Sequence, residues 1–407
     1  MNSNKIKSEL FNFFQYIFVI SLILECRSVW TRLIPIENWF NILLYICIFF
    51  STIMCFCMTK TSRKKVRNLF GRILIISALG GIYFFFTPMG KIGFLKFFLA
   101  VMICLIHYSL CTKDYGKELL KKYSDIIYII AIISLICWLL VSVFNVFHAN
   151  KIVYYSWSGT GEPVAIRSFY GIYYETQFIR ELSLIRNTSI FTEASMCSFH
   201  FSISLLIFLF VMPKTSKRKA IIITLAIFST ISSTGIILAI SAWFLKFMLD
   251  TKVKEKSFGH LFKFLILPVL VCISAIFILN MLESKMETYS GEVRLSHLQG
   301  SFKAWLSSPF FGVGFGNSQA ILYYSGQVGN SNSIMQLLAY GGIIFVLPYI
   351  FSVFSGIINA LKTKNYGIIC FIILFLVMFS FTFVTYQYLC VIMFIIFSTS
   401  YKINTGS

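Results

Sequence analysis

An all-α, polytopic integral membrane protein is the fold class that this sequence predicts, and three observations carry the prediction. Of the 407 residues, 58% are hydrophobic and only 12% are charged, where a soluble domain carries roughly 25% charged residues. Apolar runs close to the length of a membrane span recur from one end of the chain to the other. Those runs are continuous, which a transmembrane barrel with its short alternating segments does not allow. The whole of 1–407 reads as a single membrane domain, with no repeat, linker or second soluble unit.

Taken in order, the apolar runs give about twelve transmembrane helices: 11–24, 39–58, 70–87, 92–111, 125–148, 194–212, 219–233, 235–249, 262–282, 332–356, 366–385 and 387–400. The first run follows Lys5 and Lys7, and Glu25, Cys26 and Arg27 stand where a signal peptide would have small residues, so it is an uncleaved span. The close pair at 219–249 reads either as two spans or as one re-entrant hairpin. Basic clusters at 60–72, 113–122, 214–219, 246–263 and 362–364 all fall on one side of this arrangement and, with the termini, hold 24 of the 35 Lys and Arg. By the positive-inside rule that side and both termini are cytoplasmic. The net charge of +20 is therefore a topology signal and does not call for a nucleic-acid partner. The 11 cysteines sit almost entirely within the apolar runs without a CxxC, as small packing residues. No Ser-His-Asp set, phosphate-binding glycine loop or metal-ligand spacing occurs, so neither metal nor cofactor is expected.

Two external loops are long, about 149–193 and 283–331, and they hold most of the polar chemistry. The first carries Arg167, Arg180 and Arg186 among Tyr154, Tyr155, Trp157, Tyr173 and Tyr174, and closes on Glu193 at the mouth of the sixth span. The aromatics suit either an interfacial belt or the C–H faces of sugar rings. Arg186 and Glu193 are seven residues apart and share a face if the segment is helical. They form either a structural ion pair or a general base beside a phosphate-binding guanidinium. In the second loop Leu295, Leu298, Phe302 and Trp305 recur at helical spacing, with Arg294, His297 and Ser301 on another face, which predicts an amphipathic interfacial helix. Arg294 meets either lipid headgroups or a phosphate. The glycines of Gly312-Val-Gly314-Phe-Gly316 predict a tight turn and not a dinucleotide fingerprint. Asn332 and Gln336, one turn apart, either pack between helices or face a cavity.

Two of these stretches carry a family resemblance. RNTSIFTEAS, Arg186 to Ser195, resembles the R-x-x-G-x-F-x-E-P signature of the O-antigen polymerase and ligase superfamily. Arg294, the Ser308-Pro-Phe-Phe-Gly-Val-Gly-Phe-Gly316 run and Ser331-Asn332-Ser333 before an apolar run resemble its second signature. The sequence departs from the pattern at Ala194, where the family often has Pro, and at Ser331, where the ligase branch has His. The resemblance implies a glycosyltransferase of the polymerase branch, in a bacterial cell (inner) membrane, whose substrate is an undecaprenyl-diphosphate-linked glycan. A ligase of the same superfamily and a polysaccharide flippase are the alternative readings. The resemblance further implies that Arg294 and Arg186 stabilise the leaving diphosphate and that Glu193 activates the acceptor hydroxyl. Arg167, Arg180, His297, Trp305, Asn332 and Gln336 are then expected to bind the substrate. The partners it implies are the lipid bilayer and a chain-length regulator.

Overall fold

The computed structural model describes residues 3–112, 114–156, 162–179, 184–212, 217–250, 289–327 and 329–399. Within them the chain is mostly helix, and eight helices are long and apolar enough to cross a membrane. In chain order the helices are α1 (Ser3–Glu25), α2 (Glu37–Met58), α3 (Arg63–Phe86), α4 (Lys91–Ile106), α5 (Lys117–Cys137), α6 (Ala194–Leu206), α7 (Lys217–Ser229), α8 (Ser233–Asp250), α9 (Tyr289–Ser307), α10 (Ser318–Ser325), α11 (Ser333–Lys362), α12 (Tyr366–Phe381) and α13 (Tyr388–Phe397). The pair expected at 219–249 is two helices, α7 and α8, joined by a short turn. The span expected at 262–282 lies outside the described residues. The apolar runs set the helices because a chain in lipid must satisfy its backbone internally. Polar residues set several of the starts: the side chains of Ser62, Asn317, Asn332 and Asn365 each accept a backbone N–H of the first turn of α3, α10, α11 and α12.

The helix α6, extended by a π-helical turn over Ile207–Val211, is the axis of the bundle: 94% of Ala194–Val211 is buried. Small residues let its neighbours approach, and a Cβ on Gly235 of α8 would fall 1.7 Å from the Ser198 hydroxyl oxygen. Its polar groups are tied to adjacent helices. The His200 ring meets the Tyr123 hydroxyl at 3.0 Å and the Cys26 carbonyl at 3.2 Å, and Ser204 donates to the Ser124 carbonyl.

The all-α expectation fails in the first long loop. Lys151–Tyr155 (β1), Val164–Phe169 (β2) and Tyr173–Glu175 (β3) form a three-stranded antiparallel sheet in that order, and Phe178–Ile179 (β4) pairs with Leu184–Ile185 (β5). The cause is local. These runs alternate β-branched and aromatic residues with polar ones. The turn between β2 and β3 places Tyr170 and Gly171 at φ 54 and 72, the left-handed pair that suits a hairpin. Tyr155 and Tyr174 are buried on one face of the sheet, against Val29, and Tyr173 on the other, against Val141, while Tyr154 and Tyr170 are exposed, so the loop aromatics divide between packing and surface. Trp157 lies outside the described residues.

The expected single span at 332–356 is a broken helix. At Gly342 the backbone of α11 leaves helical geometry, at φ 60 and ψ −166. The groups that the break frees are taken by other segments. Ile343 N donates to the Pro309 carbonyl at 2.9 Å and Ile344 N to that of Phe310 at 3.3 Å. The Ala339 carbonyl accepts from Val313 N and the Tyr340 carbonyl from the Tyr83 hydroxyl, both at 2.8 Å. The Pro309–Gly316 turn is therefore the partner of the break, and Gly312, Gly314 and Gly316 all sit at positive φ, as a tight turn demands. A Cβ at Gly342 would stand 2.3 Å from the Phe310 carbonyl oxygen, whereas Gly326, at φ 67, has nothing within 4 Å. Gly326→Ala is expected to cost about 1 kcal/mol, the left-handed strain alone. Gly342→Ala is expected to cost at least about 1 kcal/mol more, because the docked turn must shift. Thermal unfolding of the detergent-solubilised protein, followed by a dye that reacts with the buried cysteines, measures both.

Candidate functional site

The mouth of α6 is the segment from Arg186 to Glu193. It is extended and turned, not helical, so the shared helical face expected for its two ends does not exist. Backbone hydrogen bonds pin it from several sides. Arg186 N donates to the Gln177 carbonyl, Asn187 N to Ser229 O, Val29 N to Ile190 O and Thr192 N to Arg27 O, and the Ser189 carbonyl accepts from Tyr174 N. Asn187 reaches the hydroxyls of Ser134 and Ser229, and Ala194 N donates to the Gln177 side-chain oxygen. Two left-handed residues, Arg27 at φ 59 and Ser189 at φ 51, flank the bridge between Ser28 and Phe191 that joins this segment to the end of α1.

That joint decides the charge pairing. Glu193 Oε1 stands 3.9 Å from a terminal nitrogen of Arg27, and both side chains are largely buried. The partner expected for Glu193 was Arg186. Instead, Arg186 donates through Nε to the Thr230 carbonyl at 2.9 Å and through Nη2 to that of Ile231 at 3.1 Å, closing the α7–α8 turn. Burial pushes the Arg186 guanidinium below its ordinary value, the Glu193 charge opposes that shift, and the Arg294 charge adds to it. Arg186 is thus within electrostatic reach of both Glu193 and Arg294. Arg294, on α9, is exposed, and no hydrogen bond or ion pair to a described residue holds it. On the other flank Arg32 is likewise held below its usual value, by burial first and by the Arg27 charge second. The Glu25 carboxylate accepts from Tyr388 N at 3.1 Å. Arg27, missed in the sequence, is the neighbour that Glu193 has; the signal available was a charged pair, Glu25 and Arg27, ending an apolar run.

The other expected site residues divide. The predicted amphipathic helix is α9, and it turns Leu295, Leu298 and Phe302 outward while His297 and Ser301 are buried. His297 lies against the turn at Gly329, and Ser301 accepts from the Asn330 amide at 2.9 Å. Trp305 Nε1 donates to the Pro309 carbonyl and so braces the turn that docks on the break in α11. Asn332 and Gln336 do not point together into a cavity: Asn332 caps α11 through Met335 N, and Gln336 is buried and accepts from the Thr385 hydroxyl. Arg167 pairs with Glu175 at 3.5 Å across β2 and β3. Arg180 lies outside the described residues. Among the described residues no three His, Cys, Asp or Glu side chains gather as a metal site.

The chain matches no protein-family model, and a search of curated proteins finds no significant match. The Arg27–Glu193 pair gives a direct test of this geometry. Glu193→Ala, which leaves the Arg27 charge buried, is expected to destabilise the protein by roughly 1–3 kcal/mol. The double variant Arg27→Gln with Glu193→Gln is expected to recover at least half of that loss. Thermal unfolding in detergent reads both, and strict additivity of the single changes would show that the two groups do not interact.

Proposed function

We propose that this chain is a membrane glycosyltransferase of the O-antigen polymerase type, joining undecaprenyl-diphosphate-linked repeat units of a surface glycan at the outer face of a bacterial cell membrane. The observation that carries the reading is Arg294: an exposed guanidinium without a committed partner among the described residues, close enough to Arg186 for its charge to act there, where the Glu193 charge acts as well. Like charges gathered in a half-buried place call for an anion between them, and a diphosphate has the oxygens to take several guanidinium N–H groups at once. Arg186 spends two of its five N–H donors on the Thr230 and Ile231 carbonyls and is held in place by them.

The resemblance stated from the sequence is in keeping with this geometry. The glycine of the first signature falls on Ser189, whose φ of 51 is in the region that glycine enters at least cost. Its proline falls on Ala194, the first residue of α6, where proline is at home because the N–H has no helical partner; here Gln177 takes that N–H. Described lysines of three basic clusters, Lys65, Lys122 and Lys219, lie at the opposite end of the bundle, at the starts of α3, α5 and α7. There Lys122 meets Asn12 at 3.0 Å, Lys219 meets Asp125 at 2.6 Å and Lys65 meets the Thr112 carbonyl at 3.2 Å. By the positive-inside rule that end is cytoplasmic, which supports twelve spans with both termini inside and the arginine cluster outside.

In this reading a hydroxyl of one lipid-linked repeat unit attacks the anomeric carbon of another. The bond from that carbon to the diphosphate oxygen breaks, Glu193 takes the hydroxyl proton, and Arg294 and Arg186 hold the charge that develops on the departing diphosphate. Arg27, paired with Glu193, orients the carboxylate. Arg294→Ala is expected to leave the protein inserted and folded but to reduce the glycan to single repeat units, and Arg294→Lys to impair it as well, because a point charge does not replace a planar fork. Glu193→Gln is expected to slow linkage formation about 10²–10⁴-fold. Gel analysis of the surface glycan in a strain carrying each variant makes the comparison. A full ladder with Arg294→Ala rules out the proposed diphosphate site, and complete loss of glycan from the acceptor indicates a ligase or flippase.

A further inference from the structure

The pairing of β4 with β5 runs on past the two strands. Phe178 faces Ile185 and Ile179 faces Leu184, and the next rung is the bond from Arg186 N to the Gln177 carbonyl at 3.1 Å. Gln177 therefore stands opposite Arg186. Side chains directly opposite in an antiparallel pair leave the same face, with their Cβ atoms about 5 Å apart. The Gln177 side chain then reaches the other end of the α6 mouth: its Oε1 accepts from Ala194 N at 3.0 Å, the N–H that follows Glu193 in the chain. One half-buried residue outside the Arg186–Glu193 segment thus touches both of its ends. The bond through Oε1 also holds the amide plane, so Nε2 points to the side away from that N–H. Nε2 bonds to no described residue and is open to solvent.

An amide held in this way presents N–H donors in a fixed direction beside two charged groups that are already placed. The Arg186 guanidinium is on the Thr230 and Ile231 carbonyls, and Glu193 faces Arg27 at 3.9 Å. Guanidiniums make the stronger bonds to a phosphate, so the task left to a neutral amide is a neutral oxygen. In the function proposed above, on which this inference rests, the attacking hydroxyl lies at Glu193 and the departing diphosphate at Arg186 and Arg294. The sugar ring that is transferred lies between the two, and Gln177 neighbours both. We propose that Gln177 is a saccharide-binding residue of this site, its Nε2 donating to an oxygen substituent of the sugar whose bond to the diphosphate breaks. Its part is to bind and to orient: the amide moves no proton, and it turns the anomeric carbon toward the attacking hydroxyl. An anchor for the mouth of α6 needs only Oε1 and the backbone carbonyl, so the free Nε2 is what sets this role apart.

The two ends of the amide can be changed separately. Gln177→Glu keeps an oxygen for Ala194 N and removes the donors, whereas Gln177→Met keeps the length and removes both. The test uses the full-length protein in detergent and, as probe, the single repeat-unit oligosaccharide released without its lipid from the surface glycan of the host strain. Saturation-transfer NMR is expected to show binding to the wild-type protein. Gln177→Glu is expected to unfold at the wild-type temperature yet to bind the probe about tenfold more weakly. Gln177→Met is expected to bind as weakly and to unfold at a lower temperature as well. In liposomes supplied with lipid-linked repeat units, Gln177→Glu is expected to raise KM about tenfold with little change in kcat, where displacement of Arg186 or Glu193 would lower kcat. Wild-type binding by Gln177→Glu, or a fall in its kcat at unchanged KM, makes the residue an anchor only and overturns the proposal. So does the absence of any binding to a wild-type protein that unfolds cooperatively on heating. Probe binding weakened by Gln177→Glu, beside a wild-type protein that forms no linkages, removes the polymerase reading and leaves the saccharide contact standing. Linkages formed by Gln177→Glu at the wild-type KM do the reverse.

Discussion

The constraint on which this structure depends is that non-helical backbone inside a helical membrane bundle must have every polar group satisfied by protein. Where the chain departs from helix at Arg186–Glu193, the end of α1, the Tyr174 strand, Gln177 and the α7–α8 turn supply the partners. Where it departs at Gly342, the Pro309–Val313 turn and Tyr83 do so. Each unsatisfied group in such surroundings would cost on the order of several kcal/mol. The two irregular segments are therefore built as rigidly as the helices, and the external turns that dock on them are structural members.

Rigidity of that kind is what holds charge together. Arg27 is fixed by its left-handed backbone and by the bond from Thr192 N to its carbonyl, and Arg186 by two carbonyls of the α7–α8 turn. Glu193 begins the most buried helix of the bundle. Arg186 is therefore held where both the Glu193 and the Arg294 charges act on it. Arg294, on a helix whose apolar side faces outward, is the member of the group that is free to meet a ligand.

Much of this was legible in the sequence, and for physical reasons. Continuous apolar runs report helices directly: the ends of α2, and those of α4 and α6 once their π-helical turns over His107–Cys111 and Ile207–Val211 are included, fall within about two residues of those runs. Arg186, Glu193 and Arg294 stood out because charge is scarce outside the basic clusters. The sheet of the first loop was not read, although Lys151–Tyr155 and Val164–Phe169 have strand composition, because the aromatics drew attention as an interfacial belt. The Glu193 partner was misassigned because spacing within one segment says nothing about Arg27, which reaches it through a bridge between residues far apart in the chain. For Asn332 and Gln336 the sequence leaves packing between helices and a cavity both open, because a cap and a buried amide bonded to Thr385 leave the same trace as groups facing a cavity.

The most direct measurement of the central claim is made on the purified protein in liposomes supplied with lipid-linked repeat units and no nucleotide. Released undecaprenyl diphosphate and new glycosidic linkages are counted together over time. The account predicts one diphosphate lipid released for each linkage formed. Movement of intact lipid-linked units across the bilayer with neither release nor linkage would contradict it.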